Sequence, residues 1–195
     1  MKKFFVTLLV SLCGAVSLFA GDAEDIKALF DRQYELFVAG DFAALEAALT
    51  PDFITIESHG VFNLTQVKWM HATMDGKHPE EFMLGNFAVR TRGNGPDAEM
   101  EKKLRLAARR PEFVKFYEEH VAKRLPLVKK AVEQGYKTNR YIDIRIDGDS
   151  ARVVSECEIL DIVDTGGTVV RQVNVTVLRR IDGKWRIAQN AILRY

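Results

Sequence analysis

The chain has 195 residues, and its 28 Lys+Arg against 27 Asp+Glu leave a formal net charge of +1. A near-neutral chain has no general electrostatic reason to bind nucleic acid. Of the two cysteines, Cys13 falls in an amino-terminal leader and Cys157 is left without a partner in its own chain, which excludes an internal disulfide.

The leader occupies residues 1–20. Lys2 and Lys3 make a positive start, Phe4 to Phe19 is an uncharged and largely apolar run, and Ala20 is a small residue at the cut, before the polar Gly21-Asp22. As a helix the 16-residue run spans about 24 Å, short of the ~30 Å hydrocarbon core. The pattern is that of a cleaved signal peptide rather than an anchor. Leu12, ahead of Cys13, is too bulky for a lipoprotein signal. Loss of Lys2 and Lys3 takes the net charge from +1 to −1. No other segment reaches 18 apolar residues, so no stable membrane insertion is expected after cleavage. The expected location is periplasmic or secreted.

Residues 21–195 read as a single domain without repeats or low-complexity tracts. Ile26, Leu29, Phe30, Gln33, Tyr34 and Phe37 recur at helical spacing, which predicts a helix from about Asp22 to Ala39, ended by Gly40. Asp41 is placed to cap a short second helix with Phe42, Leu45 and Leu49 inward, stopped by Pro51. Phe53 to Glu57 is β-branched and aromatic, hence a strand, with a turn at His59-Gly60. Leu64 to Met74 reads as a third helix, closed by Asp75-Gly76. Pro96 to Arg110 and Pro111 to Gln134 read as two more, each with Pro near its start and the second kinked at Pro126.

The last third is a strand meander. Tyr141 to Ile146 alternates, with Ile142, Ile144 and Ile146 on one face and Tyr141, Asp143 and Arg145 facing outward. Ala151–Val163, Thr168–Arg180 and Trp185–Leu193 follow, joined by turns at Asp164-Thr165-Gly166-Gly167 and Asp182-Gly183. Helices first and a long antiparallel meander afterwards predict an α+β fold.

Two stretches resemble the nuclear transport factor 2-like superfamily, including its polyketide cyclase-like (SnoaL-like) and ketosteroid isomerase-like branches. The first is ALFDRQYELFVAGDFAALEAALTPDFITIES, Ala28 to Ser58, a long helix, a Gly-Asp break and a short helix leading into a strand. The second is NVTVLRRIDGKWRIAQNAILR, Asn174 to Arg194, a strand, a hairpin and a closing strand. The resemblance implies a cone: a curved antiparallel sheet with the amino-terminal helices on its concave face, enclosing a ligand pocket. It also implies a homodimer through the outer sheet face. The helical stretch at about 94–137 departs from the pattern as an insertion. From Pro96 to Lys137 it carries 11 Lys/Arg against 7 Asp/Glu, so it reads either as a solvated face or as a lid or docking surface for an anionic partner.

Candidate ligand-binding residues are Glu57, His59, Trp69, His120, Cys157 and Gln189. Gln189 continues the face of Trp185, Ile187 and Ala191, where a pocket amide can orient a ligand, or form an ordinary core hydrogen bond. Glu57 and His59, two apart, make either an acid–base pair or plain polarity at a strand end. Trp69 lies on the third helix beside His71, and His120 falls on the apolar stripe of the insertion. Cys157 reads as a buried small apolar residue or, less readily, a nucleophile. His59, His71, His78 and His120 share no ligand spacing, so no metal is expected. With no Gly-x-Ser-x-Gly, phosphate loop or dinucleotide fingerprint, no cofactor is expected. Two functions follow. One is a non-catalytic exported binding module for a small hydrophobic ligand or a protein partner. The other is a cofactor-independent isomerase, dehydratase or hydrolase acting on a small hydrophobic molecule.

Overall fold

The computed structural model describes residues 2–58, 60–161 and 168–195, with side chains from residue 21 onward except that of Asp161. In chain order the elements are α1 (Lys2–Ala39), α2 (Phe42–Ala47), β1 (Leu49–Glu57), β2 (Gly60–Asn63), α3 (Leu64–Ala72), α4 (Pro79–Arg90), α5 (Ala98–Ala108), α6 (Pro111–Phe116) and α7 (Leu125–Thr138). Then come β3 (Arg140–Asp147), β4 (Ser150–Asp161), β5 (Thr168–Ile181) and β6 (Lys184–Arg194). Among the described residues no helix is long and apolar enough to cross a membrane.

One six-stranded sheet runs in the order β2-β1-β6-β5-β4-β3. All neighbours are antiparallel except β1 and β6, which run parallel and bring the two ends of the fold together. The β5–β6 turn is made by Asp182 and Gly183, both at positive φ, as a two-residue hairpin of this twist requires. The turn assigned to 164–167 lies outside the described residues.

Local chemistry explains the helix ends. Gly40 adopts positive φ, and the N–H groups of Gly40 and Asp41 return to the Phe37 and Leu36 carbonyls, closing α1. The Asp41 carboxylate accepts from Ala44 N at 3.1 Å and starts α2. Asn63 and Gln66 form a reciprocal cap at the start of α3. Gln66 also donates to the Gly93 carbonyl at 2.8 Å, tying the α4–α5 connection to α3. At Gly93, φ is +89° and a Cβ would lie 1.8 Å from the Val61 carbonyl oxygen, so no other residue fits.

The core lies between the helices and one sheet face. It joins Ile26 of α1, Phe62 of β2, Val67 of α3 and Ala88 of α4 to Val153, Leu178, Trp185 and Ile187 of the sheet. Burying a side chain the size of Phe62 or Leu178 stabilises the fold by about 1.5–3 kcal/mol.

Several sequence expectations are corrected. Pro51 does not stop α2, which ends at Ala47; it sits inside β1, where the pairing to β6 is irregular between Leu49 and Ile54. Gly60 opens β2, a strand the sequence did not reveal. The segment from Pro111 to Gln134 is not one helix kinked at Pro126. It breaks earlier, through a π-turn at Tyr117–Val121 and a 3-10 turn at Ala122–Arg124, and Pro126 lies in the first turn of α7, where its missing N–H leaves no helical bond unmade. α4 was not anticipated.

Two β-bulges alter which side chains face the helices. On β3, Tyr141 pairs with Ser155 and Asp143 with Val154, so Ile142 is an extra residue. Tyr141 therefore points inward against Phe30, at 6.1 Å between ring centroids, and Ile142 is 56% exposed, the reverse of the alternation expected from the sequence. On β6, Ile187 pairs with Leu178 and Gln189 with Val177, so Ala188 is extra. Past it the faces exchange.

Candidate functional site: a cavity between the helices and the sheet

A cavity of about 600 Å³ opens between α1 and α7 on one side and β4, β5 and β6 on the other. Small-molecule sites span about 300–1,000 Å³. The helix wall is built by the stripe on α1, where Phe30, Gln33, Tyr34 and Phe37 face the space, and by Val128, Ala131 and Val132 of α7. The basic helical stretch at about 94–137 thus supplies, through α7, one side of the cavity. α7 lies close on β4 at Gly135, where a Cβ would meet Ile159 Cγ2 at 3.0 Å and Cys157 Sγ at 3.8 Å. Beyond it Tyr136 stacks on Tyr34 with ring centroids 3.9 Å apart, and its hydroxyl donates to Asp31 at 3.2 Å. These contacts join α7 to α1.

The sheet wall is different in kind. The inner face of β5 carries Gln172, Asn174 and Thr176, and past its bulge β6 adds Asn190, Ile192 and Arg194. Thr176 Oγ1 donates to Asn190 Oδ1 at 3.2 Å. Gln172 Nε2 donates to Asn174 Oδ1 at 2.8 Å, and Asn174 Nδ2 approaches Cys157 Sγ at 3.8 Å. A row of amides and one hydroxyl therefore faces an aromatic and aliphatic wall. Each amide still has donor or acceptor capacity for a ligand.

Several titratable groups on the wall have shifted acidities. Burial pushes the Cys157 thiol up, so it is protonated at neutral pH and a poor nucleophile. Burial also lowers His71 below its ordinary 6.5, against the opposing pull of Glu46, whose Oε1 lies 3.2 Å from His71 Nδ1. At neutral pH His71 is an uncharged imidazole held by a carboxylate. Phe42 lies across its ring at 5.4 Å. Tyr141, also on the wall, is raised to about 12 by burial and acts only as a neutral phenol.

Of the five candidate residues that are described, the structure brings one to the cavity. Cys157 lines it. Gln189 does not: the bulge at Ala188 turns it to the outer face and puts Asn190 in its place. Glu57 sits at the far end of β1 opposite Gly60, away from the cavity. Trp69 is half-buried on another side of α3 from His71 and is not on the wall. His120 is exposed in the π-turn beside Phe116, at 5.1 Å between centroids, because that turn breaks the helical stripe on which it was placed. His59 lies outside the described residues. The sequence reading missed the amide row on β5, Asn190, and Arg194. On β5 Asn174 and Thr176 alternate with Val173, Val175 and Val177, and only packing decides which of the two faces turns inward.

No family model matches the chain, and no curated protein matches it. Among solved structures it is similar to an NTF-2-like protein of unknown function from Shewanella oneidensis, at 14% identity over 87% of this chain and 97% of that one, with a TM-score of 0.43. An NTF2-like protein with a cystatin-like fold from Novosphingobium aromaticivorans aligns at 14% identity over 92% and 85%, with a TM-score of 0.44. A ketosteroid isomerase-like protein from Erwinia carotovora atroseptica aligns at 13% identity over 87% and 92%, with a TM-score of 0.41. No residue role follows from likenesses of this size. The chain's own element order and its sheet order β2-β1-β6-β5-β4-β3 are those of an α+β fold with helices laid on the inner face of a curved, mostly antiparallel sheet.

Proposed function

We propose that this protein is an exported binding module that holds a small, largely apolar ligand in the cavity between α1, α7 and the sheet. The observation that carries the reading is the two-sided wall of the ~600 Å³ space, aromatic and aliphatic on the helices and amide-rich on β5 and β6. An apolar body packs against the first wall while the second fixes its orientation. Export is supported by the leader pattern of residues 1–20, and an intact mass beginning at Gly21 for protein recovered from the periplasm checks it.

The binding test is a fluorescence titration of the exported chain with N-phenyl-1-naphthylamine, a neutral aromatic probe that brightens in apolar surroundings. Saturable enhancement at one probe per chain supports the reading. Absence of enhancement at probe concentrations up to its solubility overturns it.

One observation favours a second reading, proton transfer on a bound molecule. His71 faces the cavity as a neutral imidazole with Nδ1 beside Glu46, which leaves Nε2 as a proton acceptor. Under this reading a small ketone would exchange its α-protons with deuterated solvent in the presence of the protein, and His71→Gln would stop the exchange.

A further inference from the structure

We infer that the ligand is an amphipathic acid, whose carboxylate is received at the cavity mouth by Arg194. The inference rests on the binding reading above and names the chemical class of its ligand. Among the described residues on the wall, Arg194 alone carries a permanent charge. All other polar groups there are amides, hydroxyls, phenols, the protonated thiol and the neutral imidazole.

The guanidinium is held but not neutralised. Arg194 Nε donates to Gln172 Oε1 at 3.2 Å, and Gln172 in turn donates to Asn174 at 2.8 Å. Gln172 is thereby fixed from both sides and turns the Nε edge of the guanidinium to the wall. The two terminal nitrogens make no hydrogen bond or ion pair among the described residues. Glu156, on the other face of β4 from Ser155 and Cys157, is engaged there, at 2.5 Å from Arg140, 3.9 Å from Arg171 and 3.0 Å from the Tyr195 hydroxyl. A guanidinium with its terminal pair of N–H groups free is matched in shape and charge by a carboxylate, which takes two parallel bonds.

Position supports the same assignment. Arg194 pairs with Gln172 at one end of the β5–β6 ladder, and Ile187 pairs with Leu178 further along it, before it ends at Ile181 opposite Lys184. The six residue steps from Gln172 to Leu178 cover about 20 Å at strand rise. The row passes from Arg194 and Gln172 through Asn174 and Thr176 to an apolar end, where Leu178 is fully buried and Leu49, Phe53 and Ile187 line the cavity. A head group at Arg194 therefore directs an apolar tail toward that end. Arg194 is itself exposed, so the empty site leaves the cation hydrated.

The test uses cis-parinaric acid and its methyl ester, two fluorescent probes that differ only in the head group, titrated into the exported chain at low salt. The acid is expected to bind about three- to fivefold more tightly than the ester, the range of an exposed charge-assisted pair. Arg194→Gln should bring the acid down to the level of the ester and leave the ester within about twofold of its wild-type value, and Arg194→Lys should restore part of the preference. Equal binding of acid and ester by the wild type overturns the inference, as does an acid preference that survives Arg194→Gln, or an equal loss of both probes in that variant. If N-phenyl-1-naphthylamine binds and neither parinaric probe does, the acid-ligand inference falls while the cavity reading stands. If none of the three binds, both fall.

Discussion

The middle of the sheet and its flanks are built on different rules. All twelve residues of β4 pair with β5 without a shift, from Ser150 opposite Arg179 to Asp161 opposite Thr168. Along that ladder strict alternation holds: Ala151, Val153, Ser155 and Cys157 are buried, as are Thr176 and Leu178 across from them. On either side, β3 and β6 each carry one extra residue, Ile142 and Ala188, and past it inward and outward exchange. A bulge bends its strand and increases the local twist. The regular centre supplies a continuous wall, and the bulged flanks wrap it toward the helices and choose which polar groups reach the cavity.

Deleting Ala188 is the most severe way to break this difference. It would make β6 regular with Gln189 still opposite Val177 and Asn190 opposite Thr176, and would remove the extra residue that bends the strand. We expect a loss of about 3 kcal/mol in denaturant unfolding, as β6 straightens and the buried Ala188 is lost, together with weaker N-phenyl-1-naphthylamine binding. A deletion that left stability and probe binding intact would show that the bulge does not set the wall.

The unshifted centre is tested at its contact with α7. Gly135 is a weak helix former in a helix interior, kept where a Cβ already meets Ile159 at 3.0 Å. Gly135→Phe should cost about 1–3 kcal/mol by overpacking and fill the cavity, seen as lost probe enhancement in a protein that remains folded by circular dichroism.

A matched pair sharpens the comparison with smaller effects. Asn190→Leu removes the acceptor of the buried Thr176 hydroxyl and should destabilise by about 1–2 kcal/mol and weaken probe binding. Gln189→Leu, one residue away on the other face, should stay within about 0.5 kcal/mol and leave probe binding unchanged. Equal effects in unfolding and titration would mean that the two residues do not face opposite ways.

The smallest effect belongs to the helix wall, which has no register to slip. His71 has a folded pKa below its ordinary 6.5, so between the two values the unfolded chain binds more protons than the folded one. Its contribution to stability is complete above pH 6.5 and is lost as pH falls through the folded value. Unfolding curves at stepped pH should show this decline, and His71→Phe should flatten it.

The helical side of the fold was readable because helix chemistry is local. The α1 stripe, the Gly40 stop and the Asp41 cap each depend on neighbours within a few residues, and the predicted stripe is the one that lines the cavity. The breaks in the insertion were less legible, since a π-turn at Tyr117–Val121 leaves no residue type as its mark. The candidate site was read poorly for one dominant reason: face assignments on β3 and β6 were extended through positions where alternation fails. Tyr141 and Asn190 were assigned to the wrong face or passed over because of single residues at 142 and 188.

By itself the sequence determined the helix-then-meander order that makes the chain α+β and the apolar stripe of α1, because composition, caps and short-range periodicity act along the chain. Tertiary structure alone decided that β5 turns its amides inward, that α7 closes one side of the cavity at Gly135, and that Asn190 and Arg194 rather than Gln189 face the space. Those choices depend on pairing between segments remote in sequence, where one unpaired residue in a ladder reverses every side chain beyond it.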